Sequence, residues 1–146
     1  MTSTARESAK VTAVIVTYQS AKNIGAGLAA VYRCYDAGLM QCVVVDNDSS
    51  DGTQEILQRE AAWAEVILTG KNNGFGRGCN IGLERVHTEY TLFLNPDATI
   101  GPDALKVLVD FMDAHPQAGV CGPATILGAE GTEVHYQAAG RRPSAL

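Results

Sequence analysis

The sequence predicts an α/β fold, a mostly parallel sheet with helices on both faces in three α/β/α layers. Three observations carry that expectation. The apolar runs "VTAVIVT" and "QCVVVD" are continuous and β-branched, the pattern of strands covered on both faces. Segments of helical spacing alternate with such runs along the chain. Several runs also stop abruptly in polar residues. In open α/β sheets, strand ends of that kind face the crevice where ligands bind.

The elements follow in order. Residues 11–17 form the first strand. Within 21–38, Ile24, Leu28, Val31 and Tyr35 recur at helical spacing, and Gly38 offers a C-terminal stop. Residues 41–46 form the second strand. The polar loop "NDSSDGT" carries Ser49, Ser50 and Asp51 as candidate caps for a helix over 54–63. Residues 65–70 form the third strand. Residues 71–86 begin as a glycine-rich loop and end as a helix. "YTLFLN", 90–95, is the fourth strand. Residues 101–115 form a helix with Pro102 near its first position and Leu105, Leu108, Phe111 and Met112 on its apolar face. A fifth strand over 119–126 is expected to extend the sheet, with an irregular polar tail after Leu127. Right-handed crossovers then place helices on both faces.

The 146 residues suit a single domain, 1–146, with 46% hydrophobic and 18% charged residues. The formal net charge of −5 argues against nucleic acid as a partner, since neutralising phosphates needs a basic face. The four cysteines, Cys34, Cys42, Cys79 and Cys121, show no metal-ligand spacing and read as reduced thiols. The polar start "MTSTARESAK" has no apolar signal core. No apolar run approaches the roughly 20 residues that span a bilayer. The expected location is cytoplasmic, with a peripheral contact at the inner face of the membrane left open.

Three strand ends carry groups that a core would not hold: Thr17-Tyr18, Asp46-Asn47-Asp48 and Asn95-Pro96-Asp97. Parallel strands would bring all three to one rim. Asp46 can cap the loop that follows it, or its carboxylate can accept a hydrogen bond from a nucleobase N–H or a ribose hydroxyl. Pro96-Asp97 is good turn chemistry. A diphosphate at a rim holding Asp46 and Asp97 would need Mg²⁺ or Mn²⁺, because hard cations take carboxylate and phosphate oxygens together. "GKNNGFGRGCNIG" is neither of the two common phosphate loops. Cys79 stands where a dinucleotide fingerprint needs its third glycine, and Gly-Lys-Ser/Thr is absent. Its glycines allow tight bends beside a ligand or close packing on the sheet. Lys71 and Arg77 are cations that a phosphate could use or that face solvent, and Asn80 lies just inside the helix. His87 and His115 fall near helix ends, away from the rim.

Together, "VIVTYQS", "VVVDNDSSDGT", "NNGFGRGCNIGL", "LFLNPDATI" and "GVCGPATI" resemble, in order and spacing, the nucleotide-sugar half of family-two glycosyltransferases, with the flavour of the rhamnosyltransferase-like branch. The resemblance runs from Val11 to about Ile126. It implies a Rossmann-like GT-A fold, a nucleoside-diphosphate-sugar donor linked to dTDP or UDP, a divalent metal and inversion at the anomeric carbon. Carried over by position, Thr17 and Tyr18 border the base and Asp46 binds the base and ribose region. Asn95-Pro96-Asp97 stands where the family has its DxD motif. Only the last acid is kept there, which makes Asp97 the metal ligand and Asn95 a donor contact. Lys71, Arg77 and Asn80 complete the implied nucleotide-sugar site. The acceptor is a saccharide or a lipid-linked saccharide. The catalytic base is expected beyond Leu146, in an acceptor-binding part that the 146 residues do not supply, and apolar surface left uncovered would favour self-association. A nucleotide-binding or assembly module that works only with a partner chain remains the alternative.

Overall fold

The computed structural model describes residues 9–123, 125–127 and 133–135. Four parallel strands form the main sheet: β1 (Val11–Thr17), β2 (Met40–Asp46), β3 (Glu65–Leu68) and β4 (Tyr90–Leu94), in the order β3-β2-β1-β4. The helices between and after them are α1 (Ile24–Asp36), α2 (Thr53–Glu60), α3 (Phe75–Leu83) and α4 (Pro102–Ala114). This is the Rossmann-like architecture that the sequence predicts.

Every residue of β1 is buried, as its unbroken β-branched run requires. Alternate residues serve different faces. Val11, Ala13 and Ile15 pack with Cys42 and Val44 beneath α1, α2 and α4, through Ile24, Leu28, Val31, Leu57 and Leu105. Val16, Val43 and Val45 point the other way, against Cys79 and Ile81 of α3. The handedness of the crossovers explains this split. From β1 to β2 to β3 the chain steps in one direction, so α1 and α2 share a face. The return to β4, on the far side of β1, runs in the opposite direction, and a right-handed crossover then puts α3 on the other face.

α3 reaches the sheet through glycines. A Cβ on Gly78 would lie 2.6 Å from Cγ1 of Val16, and one on Gly82 would overlap Cγ1 of Val14. The glycines of this segment therefore divide by task. Gly78 and Gly82 allow close packing, whereas Gly70 and Gly74 take the left-handed φ values of 65° and 77° in the loop before the helix.

The helix ends follow local chemistry. Gly38 closes α1 in a left-handed conformation, φ 75°, with its N–H donating to Tyr35 O at 2.9 Å. Pro102 opens α4 at the position where its missing N–H costs nothing. α2 ends at Glu60 rather than at residue 63, because the indole of Trp63 turns back to donate to Glu60 O at 2.7 Å. Phe111, expected on the apolar face of α4, is instead exposed and stacks on His115 at 4.2 Å.

The fifth strand is the main correction. Residues 119–123 are not strand, and β5 (Thr125–Leu127) pairs antiparallel with β6 (Glu133–His135) in a separate two-stranded sheet. Gly119, Gly122 and Pro123 explain the early part. Glycine weakens a strand, and proline supplies no N–H to a ladder. The tail expected to be irregular thus includes β6.

Exchanging the packing glycines for alanine separates helix propensity from fit. Gly76→Ala, with nothing within 4 Å of its Cβ, should stabilise by up to about 1 kcal/mol. Gly78→Ala and Gly82→Ala should destabilise by about 1–3 kcal/mol despite the same propensity gain. Urea midpoints of the three variants check this.

Candidate functional site

The reversal of strand order between β1 and β4 marks the place where a ligand finds a crevice in an open α/β sheet. Thr17 and Asp46 are register partners at the carboxyl ends of β1 and β2, and Leu68 continues the row on β3. Leu94 pairs with Ile15, so Asn95, Pro96 and Asp97 emerge at the same edge on the other side of β1. The three polar strand ends do share one rim.

Two loops of that rim are zipped together by side chains of the "NDSSDGT" run. The backbone N–H groups of Gln19, Ser20 and Ala21 donate in turn to Ser49 Oγ at 2.9 Å, Thr53 Oγ1 at 2.9 Å and Asp51 Oδ2 at 3.0 Å. The Gln19 amide pairs reciprocally with Ser50, accepting from its N–H at 3.0 Å and donating to its hydroxyl at 3.2 Å. Asp51 Oδ1 accepts the N–H and the hydroxyl of Thr53 at 3.1 and 2.6 Å. Of the three candidate caps, Asp51 is therefore the one that receives an N–H at the start of α2. These bonds hold its carboxyl below the ordinary carboxylate range, with the Thr53 hydroxyl as the largest cause. Gln19 and Asp48 sit at φ 50° and 67°, a conformation uncommon outside glycine, so the zipper also holds local backbone strain.

Asp46 is fully buried. Its Oδ2 accepts from the Ser49 N–H at 2.9 Å and the Gln54 amide at 2.7 Å, which is the loop-capping role. Its Oδ1 has no partner, and neither has the buried hydroxyl of its neighbour Thr17. Thr12, equally buried on the same strand, shares a 2.8 Å hydrogen bond with the Thr88 hydroxyl. Buried polar atoms without partners are uncommon and cost free energy. Here the two lie on paired residues at the ligand edge of the sheet, enclosed by the zipped loops.

Asn47 belongs to the strand end expected at the rim, but the sequence assigned it no role of its own. It is buried, donates its backbone N–H to Thr17 O at 2.9 Å, and donates its side-chain amide to Gly74 O at 3.1 Å. Asn47 thereby ties the end of β2 to the glycine-rich loop. The available signal was an amide, carrying donor and acceptor together, placed directly after a buried strand. Thr69 adds a second tie, its hydroxyl bridging Asp46 O at 3.0 Å and Lys71 O at 2.7 Å.

The other predicted residues are exposed. Tyr18 stands at the rim, and Lys71 lies in the glycine loop. Arg77 and Asn80 lie three residues apart on the outer surface of α3. Neither Lys71 nor Arg77 forms an ion pair among the described residues. Asn95 accepts the Ala98 N–H at 3.1 Å through its carbonyl, closing the turn that holds Asp97. That turn seats on α1 at Gly27, where a Cβ would lie 2.6 Å from Pro96 O.

Asp97 is exposed and lines a polar cleft of about 510 Å³ with Lys22, Asn23 and Glu60, on the α1 side of the rim. No group of three or more metal-ligating side chains occurs among the described residues. A hard cation takes six or more oxygens. Asp97 and Glu60 are the two carboxylates of the cleft, so a hard cation there would have to take most of its oxygens from elsewhere. The three buried thiols are held protonated by contrast: burial raises Cys34 and Cys79 and pushes Cys42 up to about 12. His87 and His115 lie at the opposite end of the strands.

The family model described as "Glycosyl transferase family 2" matches residues 12–143. The chain is 25% identical over 121 residues to the N-acetylglucosaminyl-diphospho-decaprenol L-rhamnosyltransferase of Mycobacterium tuberculosis, covering 75% of this chain and 39% of that protein. It is 33% identical over 75 residues to the putative teichuronic acid biosynthesis glycosyltransferase TuaG of Bacillus subtilis, covering 49% and 30%. Among solved structures, S. aureus TarS 1-349 in complex with UDP-GlcNAc superposes with a TM-score of 0.63 at 27% identity, over 73% of this chain and 32% of that one. The mannosyltransferase PcManGT from Pyrobaculum calidifontis, in complex with GDP-Man and Mn²⁺, gives 0.64 at 26% identity, over 70% and 32%. The chain thus spans well under half the length of the relatives it matches.

The zipper predicts an acid-sensitive rim. A carboxyl held low in the folded state adds stability above its unfolded pKa of about 3.9 and loses it as pH falls through the lower folded value. Asp51→Asn should therefore lower the urea midpoint at pH 6 and reduce its fall between pH 5 and 3 relative to the parent. Asp46→Ala strands the Ser49 N–H and the Gln54 amide and should cost about 1–3 kcal/mol, read from the same unfolding curves.

Proposed function

Because the chain belongs to glycosyl transferase family 2, we propose that it is the donor-binding part of an inverting glycosyltransferase that builds a cell-surface polysaccharide or glycolipid. The observation that carries this reading is the position of Asp97. It lies on an exposed turn at the β1–β4 switch, at the same rim as the unpartnered Thr17 hydroxyl and Asp46 carboxylate oxygen. The nucleotide-sugar complexes of the structural neighbours support a nucleoside-diphosphate-sugar donor. The dTDP- or UDP-linked class, the acceptor (a saccharide or lipid-linked saccharide) and action at the inner face of the membrane are part of the same proposal. No described helix is long and apolar enough to cross a membrane.

In this reading Thr17 and Tyr18 border the nucleobase. Asp46 holds the loop beneath it and keeps one oxygen free of protein partners for the base or ribose. Lys71 and Arg77 draw the diphosphate by charge, and Asn80 and Asn95 contact the donor through their amides. Asp97 would hold Mg²⁺ or Mn²⁺, which neutralises the charge growing on the leaving diphosphate. The acceptor hydroxyl attacks the anomeric carbon, the bond from that carbon to the diphosphate oxygen breaks, and the hydroxyl proton passes to a carboxylate base. No described carboxylate is assigned as that base.

Calorimetry with UDP and dTDP, with and without Mn²⁺, tests the proposal. Binding should require the metal. Asp97→Asn should weaken it at least about tenfold, or about 1.4 kcal/mol, with an unchanged thermal melt because Asp97 is exposed. If no nucleoside diphosphate binds with metal present, the proposal fails.

A further inference from the structure

A trough runs along the outer side of α1 from the Asp97 cleft, and the donor site accounts only for its near end. Its floor is the turn of Ala21, Lys22 and Asn23 followed by α1 as far as Tyr32, where Gly25, Ala26, Leu28 and Ala29 line it. Its wall is α2 and the turn beyond it, through Ile56, Glu60 and Trp63. Two clefts that share Gly25 and Glu60 make up the trough, about 510 Å³ at the Asp97 end and about 360 Å³ at the aromatic end. Within α1 the eight-residue rise from Ile24 to Tyr32 is about 12 Å. Gly25, Ala26 and Ala29 put little bulk into the hollow, and Leu28 is buried in the core beneath it.

The lining is of two kinds. At the far end Trp63 is fixed by its indole bond to Glu60 O and packs against both Tyr32 and Tyr35, with ring centroids 5.4 and 5.0 Å away and the two tyrosine rings 6.3 Å from each other. Tyr32 remains 43% exposed, so a preorganised aromatic surface meets solvent. In the middle, Glu60 gives one oxygen to Arg59 at 2.7 Å. Its other oxygen lies over Gly25, where a Cβ would be 3.6 Å away. At the near end stand the amide of Asn23, the ammonium of Lys22 and the carboxylate of Asp97. Aromatic rings that cover apolar ring faces, together with a few placed polar groups that take hydroxyls, are what a pyranose requires. A purely apolar segment would leave Glu60, Asn23 and Asp97 unpaired, and an anion would face two carboxylates.

We propose that this trough is a saccharide-binding subsite, with the sugar face on Tyr32 and Trp63 and its hydroxyls on Glu60 and Asn23. Its near end opens beside Asp97, so a glycan lying in it extends toward the rim. The assignment of a sugar to the trough does not depend on the donor proposal; only the idea that the sugar belongs to the acceptor does.

Trp63 is the single tryptophan of the chain, so its emission reports on the trough. The full chain is titrated, without nucleotide, with methyl glycosides and short oligosaccharides of glucose, N-acetylglucosamine and rhamnose. The expected result is a saturable emission change in the millimolar range. Ala29→Leu fills the floor with a good helix former and should weaken binding at least about tenfold. Glu60→Gln and Tyr32→Ala should weaken it in the same direction. Calorimetry with UDP and Mn²⁺ should be unchanged in Ala29→Leu. No saturable change with any saccharide, in protein that binds UDP, overturns the trough and leaves the donor reading standing. A change that Ala29→Leu and Tyr32→Ala both retain also overturns it. Saccharide binding without nucleotide binding upholds the trough and sinks the donor reading.

Discussion

The rest of the structure depends on the handedness of the crossovers around β1. This strand is buried on both faces and paired on both edges, with β2 on one side and β4 on the other. Two steps in one direction and a return past the starting strand leave only one arrangement of right-handed units. α1 and α2 share a face, and α3 crosses alone on the other. The reversal opens the crevice between β1 and β4, and the polar ends of the strands collect there. Gly78 and Gly82 are consequences of that crossing, because the lone helix must approach Val14 and Val16 closely to cover the sheet.

The rim is organised at a cost that its surroundings sustain. Backbone N–H groups of one loop are taken by side chains of the next, and two non-glycine residues are held in left-handed conformations. Under this zipper Thr17 and Asp46 keep unpartnered polar atoms. Such features persist only where neighbouring structure over-determines them, and they cluster at functional sites. The same loops bear on α1. The 95–98 turn seats on Gly27, and the small residues of the outer α1 surface leave the trough that reaches from Asp97 to Trp63. Donor rim and trough are thus two sides of one helix, both dependent on residues without bulk.

Much of the fold was legible because continuous β-branched runs and helical spacing are local signals. Val11 to Thr17 has the pattern of a doubly buried strand, and Pro102 suits the first position of a helix. The fifth strand failed for a physical reason. "GVCGPATI" is apolar, but its two glycines and proline supply little to a ladder, and its β-forming end pairs with a later segment. Phe111 failed because helical spacing gives a face without saying how far the sheet extends beneath it. At the site, the shared rim was legible from polar strand ends. Asn47 was not, because its importance lies in reaching Gly74, which is 27 residues away in the chain.

The sequence by itself determined the layers, the parallel strands and the family, since each rests on patterns of neighbouring residues and on the order of short motifs. Tertiary structure alone decided what those motifs do to one another. It made "NDSSDGT" a staple for the loop after β1 rather than only a turn. It gave one oxygen of Asp46 to Ser49 and Gln54 and left the other without a partner. It placed Asp97 in one cleft with Lys22, Asn23 and Glu60. Those outcomes depend on which groups the crossovers bring within hydrogen-bonding distance, a property of the packed chain that no local pattern encodes.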